Sequence, residues 1–156
     1  MARSAGTTQQ CRDGPRTGVA DRQRASVRVV PTTAQLREAM ERYATVSSSM
    51  DADAYAALFT PDAVQVDPVP TAPNVGRDAI RAFIQRSFDS CEAMKFEVTE
   101  VHPVADKAAI TFHITVSLEG GSTMHIRGVE IFTITDEGLI SAVDAYWGDE
   151  DVTFGE

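Results

Sequence analysis

The sequence predicts an α+β domain in which a strongly curved sheet wraps a layer of three helices. Apolar residues recur with a helical period through the first half of the chain and alternate with a period of two through the second half. Two turn signals, Gly120-Gly121 and Asp136-Glu137-Gly138, punctuate the alternating half. A chain of 156 residues with 43% apolar content can bury one good core and is too short to divide in two.

Order is expected to begin near residue 31. Residues 1–30 show no sustained period and are rich in Arg, Gly, Ser and Thr, so a disordered extension is expected there, with one domain over 31–156. Thr32 or Thr33 can cap a first helix from Ala34 to about Ser49, whose Leu36, Ala39, Met40, Tyr43, Val46 and Met50 share one face. Asp51 or Asp53 can start a short second helix that turns Tyr55, Ala56, Leu58 and Phe59 inward and stops at Pro61. Ala63 to Asp67 reads as a short strand. The prolines at 68, 70 and 73 then give a stiff loop, expected to form the mouth of any pocket.

Gly76 opens a third helix, with Ala79, Ile80, Phe83, Ile84, Ser87 and Phe88 as its apolar stripe. Four longer strands follow, near 96–103, 107–119, 126–134 and 139–147, and the tail is expected to pack through Val152 and Phe154.

Charge narrows the range of partners. The first thirty residues hold six Arg and two Asp, a local +4, and the rest holds 8 basic and 21 acidic residues, or −13. So acidic a body argues against nucleic acid or an anionic membrane surface. No apolar run approaches the length of a membrane span and no signal segment is visible, which points to a soluble, cytoplasmic protein. Cys11 and Cys91 are isolated, and His102, His113 and His125 lack ligand spacing, so neither a disulfide framework nor a metal is expected.

One residue breaks the pattern. Glu130 sits among apolar neighbours in what should be a central strand. A carboxylate there must reach solvent, find a partner such as His113, His125 or Arg127, or be held neutral. Tyr43 on an inner helix face can be an ordinary core tyrosine, and Asp67 before a proline can be a turn residue.

The phrases RYATVSSSMDADAYAALFTPDAVQVDPV, GRDAIRAF and RGVEIFTITDEGLISAVDAYWG, with the late TFG, carry a family resemblance. Over roughly Leu36 to Gly155 the chain resembles the ketosteroid isomerases of the cone-shaped superfamily that includes nuclear transport factor 2, also called NTF2-like or cystatin-like. The resemblance implies Asp67 as catalytic base, with Tyr43 and a protonated Glu130 as donors to a substrate oxyanion. Glu130 is one methylene longer than the family's aspartic acid. Ile84 stands where typical isomerases have a second tyrosine bonded to the first, so Tyr43 is expected to lack that partner.

A substrate pocket lined by Trp147, Val143, Ala145, Phe59, Phe83 and Ile84 is expected, with an apolar steroid-like or polyketide-like substrate, no cofactor, no metal, and a homodimer formed through the outer face of the sheet. The VDP and YWG phrases also resemble the epoxide hydrolases and cyclases of polyketide and polyether pathways, where one acid protonates the epoxide and a carboxylate activates the attacking oxygen. A non-catalytic ligand carrier or protein-interaction domain is the third expectation.

Overall fold

A computed structural model describes residues 29–155. The expected disorder of residues 1–30 falls almost wholly outside that range. Helix α1 spans Thr33–Ser49, α2 Ala52–Ala57 and α3 Arg77–Asp89. The strands are β1 Phe59–Val66, β2 Asn74–Val75, β3 Ala93–Val104, β4 Lys107–Ser117, β5 Thr123–Ile134, β6 Ile140–Tyr146 and β7 Val152–Gly155.

Local chemistry sets the helix ends. Thr32 caps α1, its hydroxyl accepting from the Gln35 N–H while the Gln35 side chain accepts from the Thr32 N–H. The Asp51 carboxylate caps α2 by accepting from the N–H groups of Asp53 and Ala54. Gly76 precedes α3 at φ 85°, a conformation that glycine tolerates without strain.

The sheet runs β2-β1-β6-β5-β4-β3, with β1 parallel to β6 and the other neighbouring pairs antiparallel. Strand β5 is long enough to hold two partners on one edge. β6 pairs with Val129–Ile134 and β7 with Thr123–Ile126. Between them lies Gly128, where an added Cβ would stand 2.6 Å from the Tyr146 carbonyl oxygen and 2.8 Å from the Phe112 ring. Only a residue without a side chain lets β5 pass so close to its neighbours.

The curled sheet closes on the helices. Leu36, Met40 and Tyr43 of α1, Tyr55 of α2, and Ile80 and Phe88 of α3 meet Phe96, Ile110, Phe112, Phe132 and Ile140 from the sheet in one buried cluster. Ser48 on α1 accepts from the Phe96 N–H at 2.9 Å, tying α1 to β3.

Two local expectations are corrected. The second helix stops at Ala57 rather than at Pro61, because Phe59 enters the ladder opposite Ile140 and the Ile140 N–H donates to the Leu58 carbonyl at 2.9 Å. Pro61 then sits in the irregular stretch of β1 between Phe59 and Val64, where its missing N–H costs little. The tail forms β7 rather than packing through both apolar residues: Val152 packs on the core, whereas Phe154 is 72% exposed. Among the described residues, no helix is long and apolar enough to cross a membrane.

Candidate active site

Glu130 is 3% exposed, between Ile110 on β4 and Ala145 on β6. It points inward because its strand alternates, placing Ile126, Phe132 and Ile134 in the core beside it while Arg127 is exposed. Neither His113, His125 nor Arg127 reaches it. His113 instead lies 4.0 Å from Glu97 and stacks on His125 at 5.4 Å. The partner of Glu130 is Tyr43, whose hydroxyl donates to Oε1 at 3.3 Å. Oε2 is buried and has no partner among the described residues.

Asp67 follows the last residue of β1 and enters the same cavity from the side. Trp147, just past β6, donates its indole N–H to Asp67 Oδ1 at 2.8 Å. The parallel pairing of β1 with β6 brings these two strand ends together, and the Val69 N–H bonds the Ala145 carbonyl at 2.8 Å to hold the turn after Asp67.

These groups share a cavity of about 220 Å³. Tyr43, Tyr55, Asp67, Glu130 and Trp147, with three serines, supply its polar part, and Phe83, Ile84, Phe112, Met124 and Ile126 contribute apolar wall. Phe59, Val143 and Ala145, expected in the wall, lie beneath it. Phe59 is fully buried and packs its ring 5.2 Å from that of Tyr55, while Val143 and Ala145 are covered on a central strand. The 68–75 loop, expected at the mouth, contributes nothing to the lining, because β2 draws its end back onto β1.

Burial decides the ionisation. Glu130 is held well above the usual carboxylate range, first by desolvation and then by the charge of Asp67, with the Tyr43 hydrogen bond opposing. Asp67 is raised by desolvation as well, but the Trp147 N–H favours its charged form. Tyr43 and Tyr55 are both pushed up, chiefly by burial, and stay protonated. The two carboxyls therefore sit in unequal environments, and Asp67 is the easier of the two to ionise.

The Trp147 bond makes a prediction. In Trp147→Phe, Asp67 loses the donor that stabilises its carboxylate, so its pKa rises further. The acid limb of the kcat/KM profile should move to higher pH, with the largest loss of activity on the acid side. A limb that stays in place would separate Asp67 from the rate-determining ionisation.

Tyr55 was legible only as an inward-facing residue. It stands 3.0 Å, oxygen to oxygen, from Tyr43 and supplies the phenolic partner whose loss Ile84 implied. The expectation of an unpartnered Tyr43 is thereby corrected. The two tyrosines are twelve positions apart on different helices, and no sequence periodicity links them.

An α+β cone with an acidic, apolar-walled cavity is the NTF2-like fold. Residues 40–143 match the SnoaL-like domain, and the chain belongs to that family. It is 28% identical over 124 residues to the steroid Delta-isomerase of Nocardioides simplex, covering 77% of this chain and 95% of that protein. Its structure resembles that of SalBIII, described as an epoxide hydrolase/cyclase-like enzyme in pyran ring formation in the polyether salinomycin. The TM-score is 0.72 at 23% identity, covering 78% of this chain and 97% of the other. RV0760c from Mycobacterium tuberculosis gives a TM-score of 0.71 at 22% identity, covering 80% and 98%.

Proposed function

We propose that this protein is a cofactor-independent acid–base enzyme that moves a β,γ double bond of a 3-ketosteroid or similar ketone into conjugation. One observation carries the reading: a buried carboxyl, Glu130, whose pKa burial pushes well above the usual range, shares an apolar-walled cavity with a second carboxyl, Asp67, that ionises more readily. The likeness to a steroid Delta-isomerase along most of the chain supports it.

The ketone oxygen enters beside Glu130 and Tyr43, and the apolar wall takes the hydrocarbon. Asp67 removes a proton from the carbon between the carbonyl and the double bond. The electron pair moves onto the carbonyl oxygen as a dienolate, and the growing charge meets the Glu130 proton in a buried site, with Tyr43 holding the carboxyl in place through Oε1. Asp67, now protonated, returns that proton to the far end of the dienolate. The double bond is then conjugated, and both carboxyls are back in their starting states. No external redox partner is required, because the substrate and product are isomers.

Epoxide opening is the second reading, and the unpartnered Glu130 Oε2 favours it as a source of a full proton. Glu130 would protonate the epoxide oxygen while Asp67 takes a proton from the attacking hydroxyl or water. The partly exposed Val129, Ile131 and Tyr146 on the outer sheet face fit pairing of two copies in either case.

Incubation with a β,γ-unsaturated 3-ketosteroid, followed by conjugated-enone absorbance, separates the two. Enone formation is the expected outcome. Conversion of an epoxy alcohol without any enone formation would transfer the assignment to the second reaction.

A further inference from the structure

The acid in the cavity is the end of a row of hydrogen bonds that begins at the sheet edge. Asn74 Nδ2 on β2 donates to Gln65 Oε1 on β1 at 3.4 Å. Gln65 Nε2 donates to the Tyr55 hydroxyl at 3.2 Å. The Tyr55 and Tyr43 hydroxyls are 3.0 Å apart, and Tyr43 donates to Glu130 Oε1 at 3.3 Å. Gln65, Tyr55 and Tyr43 are at most 2% exposed, and a glutamine on the buried side of a strand needs a reason to be there.

Counting protons gives the row a direction. A neutral phenol carries one proton. Asn74 makes Gln65 Oε1 an acceptor, so the amide presents N–H to Tyr55. Tyr55, already accepting from Gln65, has its own proton free to give to Tyr43. Tyr43 accepts from Tyr55 and gives its proton to Glu130 Oε1. The reverse order would leave the Tyr55 proton without an acceptor, because Gln65 already presents an N–H to that hydroxyl. With Oε1 filled as an acceptor, the proton of a neutral Glu130 belongs on Oε2, the oxygen that has no protein partner.

We infer that Gln65 and Tyr55 are positioning residues for the site: acting through Tyr43, they fix the proton of Glu130 on Oε2, where it serves the substrate oxygen. Each bond in such a row polarises the next, so the far amide strengthens the donor at the near end. The inference rests on the reading of Glu130 as a neutral acid given above. It also gives the extra methylene of Glu130 a purpose, since the longer side chain can meet Tyr43 with one oxygen and keep the other in reserve.

The carbonyl stretch of the protonated Glu130 carboxyl, isolated as the infrared band lost in Glu130→Gln, reads the chain directly. Tyr43→Phe removes the donor to Oε1 and should move the band clearly to higher frequency. Tyr55→Phe and Gln65→Leu should move it in the same direction by less, with circular dichroism unchanged. A structural role alone would leave the band in place in a folded variant. If either folded variant leaves the band unmoved, the directed row is overturned. If one variant does not fold, the other carries the test. Absence of any carboxyl band lost in Glu130→Gln would instead overturn the neutral-acid reading itself, so the two failures are distinguishable.

Discussion

Asp67→Asn should lower enone formation by about 10²–10⁴-fold, the range attached to losing a positioned general base, with little change in KM. The substitution removes the basic oxygen and almost nothing else. An asparagine oxygen still accepts the Trp147 N–H that reaches Oδ1 at 2.8 Å, so the indole keeps its orientation. The neutral amide also escapes the desolvation that raises the Asp67 pKa, so folding should not suffer. Loss of activity without loss of stability is therefore the signature to measure, by enone absorbance and by thermal melting on the same sample. Activity within a few-fold of wild type would remove Asp67 as the proton carrier.

The fold was legible because its signals are long. The alternation of Ile110, Phe112, Ile114 and Val116 against polar neighbours spans a whole strand, and a capping threonine at 32 or 33 marks the start of the first helix to within a residue. Strands β2 and β7 were missed because two and four residues carry no usable period. The same limit shifted Phe59: two residues after the end of a helix and two before a proline, it can be assigned to the helix or the strand until its partner Ile140 is known.

At the site, an acid in an apolar strand announces itself, and Asp67 and Tyr43 entered through the family resemblance. Tyr55 and Gln65 did not, because each looks locally ordinary. Tyr55 belongs to the inner face of a short amphipathic helix, and Gln65 alternates within a strand whose facing direction was unknown. Their meaning lies in a hydrogen-bond sequence across α1, α2 and β1, and that exists only in three dimensions.

Glu130→Gln should raise stability and lower activity together, and the pH dependence of the first identifies its cause. The folded-state pKa of Glu130 lies well above its unfolded value, so the folded protein binds a proton that the unfolded chain releases. Its favourable contribution is complete below the ordinary carboxylate range and is lost as pH rises from that range through the folded pKa. A glutamine binds no such proton. The variant should melt like wild type in acid and above it at about pH 8, with a shallower slope between. Asp67, raised in the same direction, should leave part of that slope in place.

The activity of the same variant discriminates between the two reactions. Enolisation asks Glu130 only to donate a hydrogen bond, which an amide N–H still does, so the loss should fall short of the about 10²–10³-fold seen when an oxyanion donor is removed outright. Epoxide opening needs the proton itself, so the loss should reach the about 10²–10⁴-fold of an absent general acid. A melting temperature at about pH 8 no higher than wild type would mean that Glu130 is ionised in the folded protein, and would remove the neutral acid from both mechanisms.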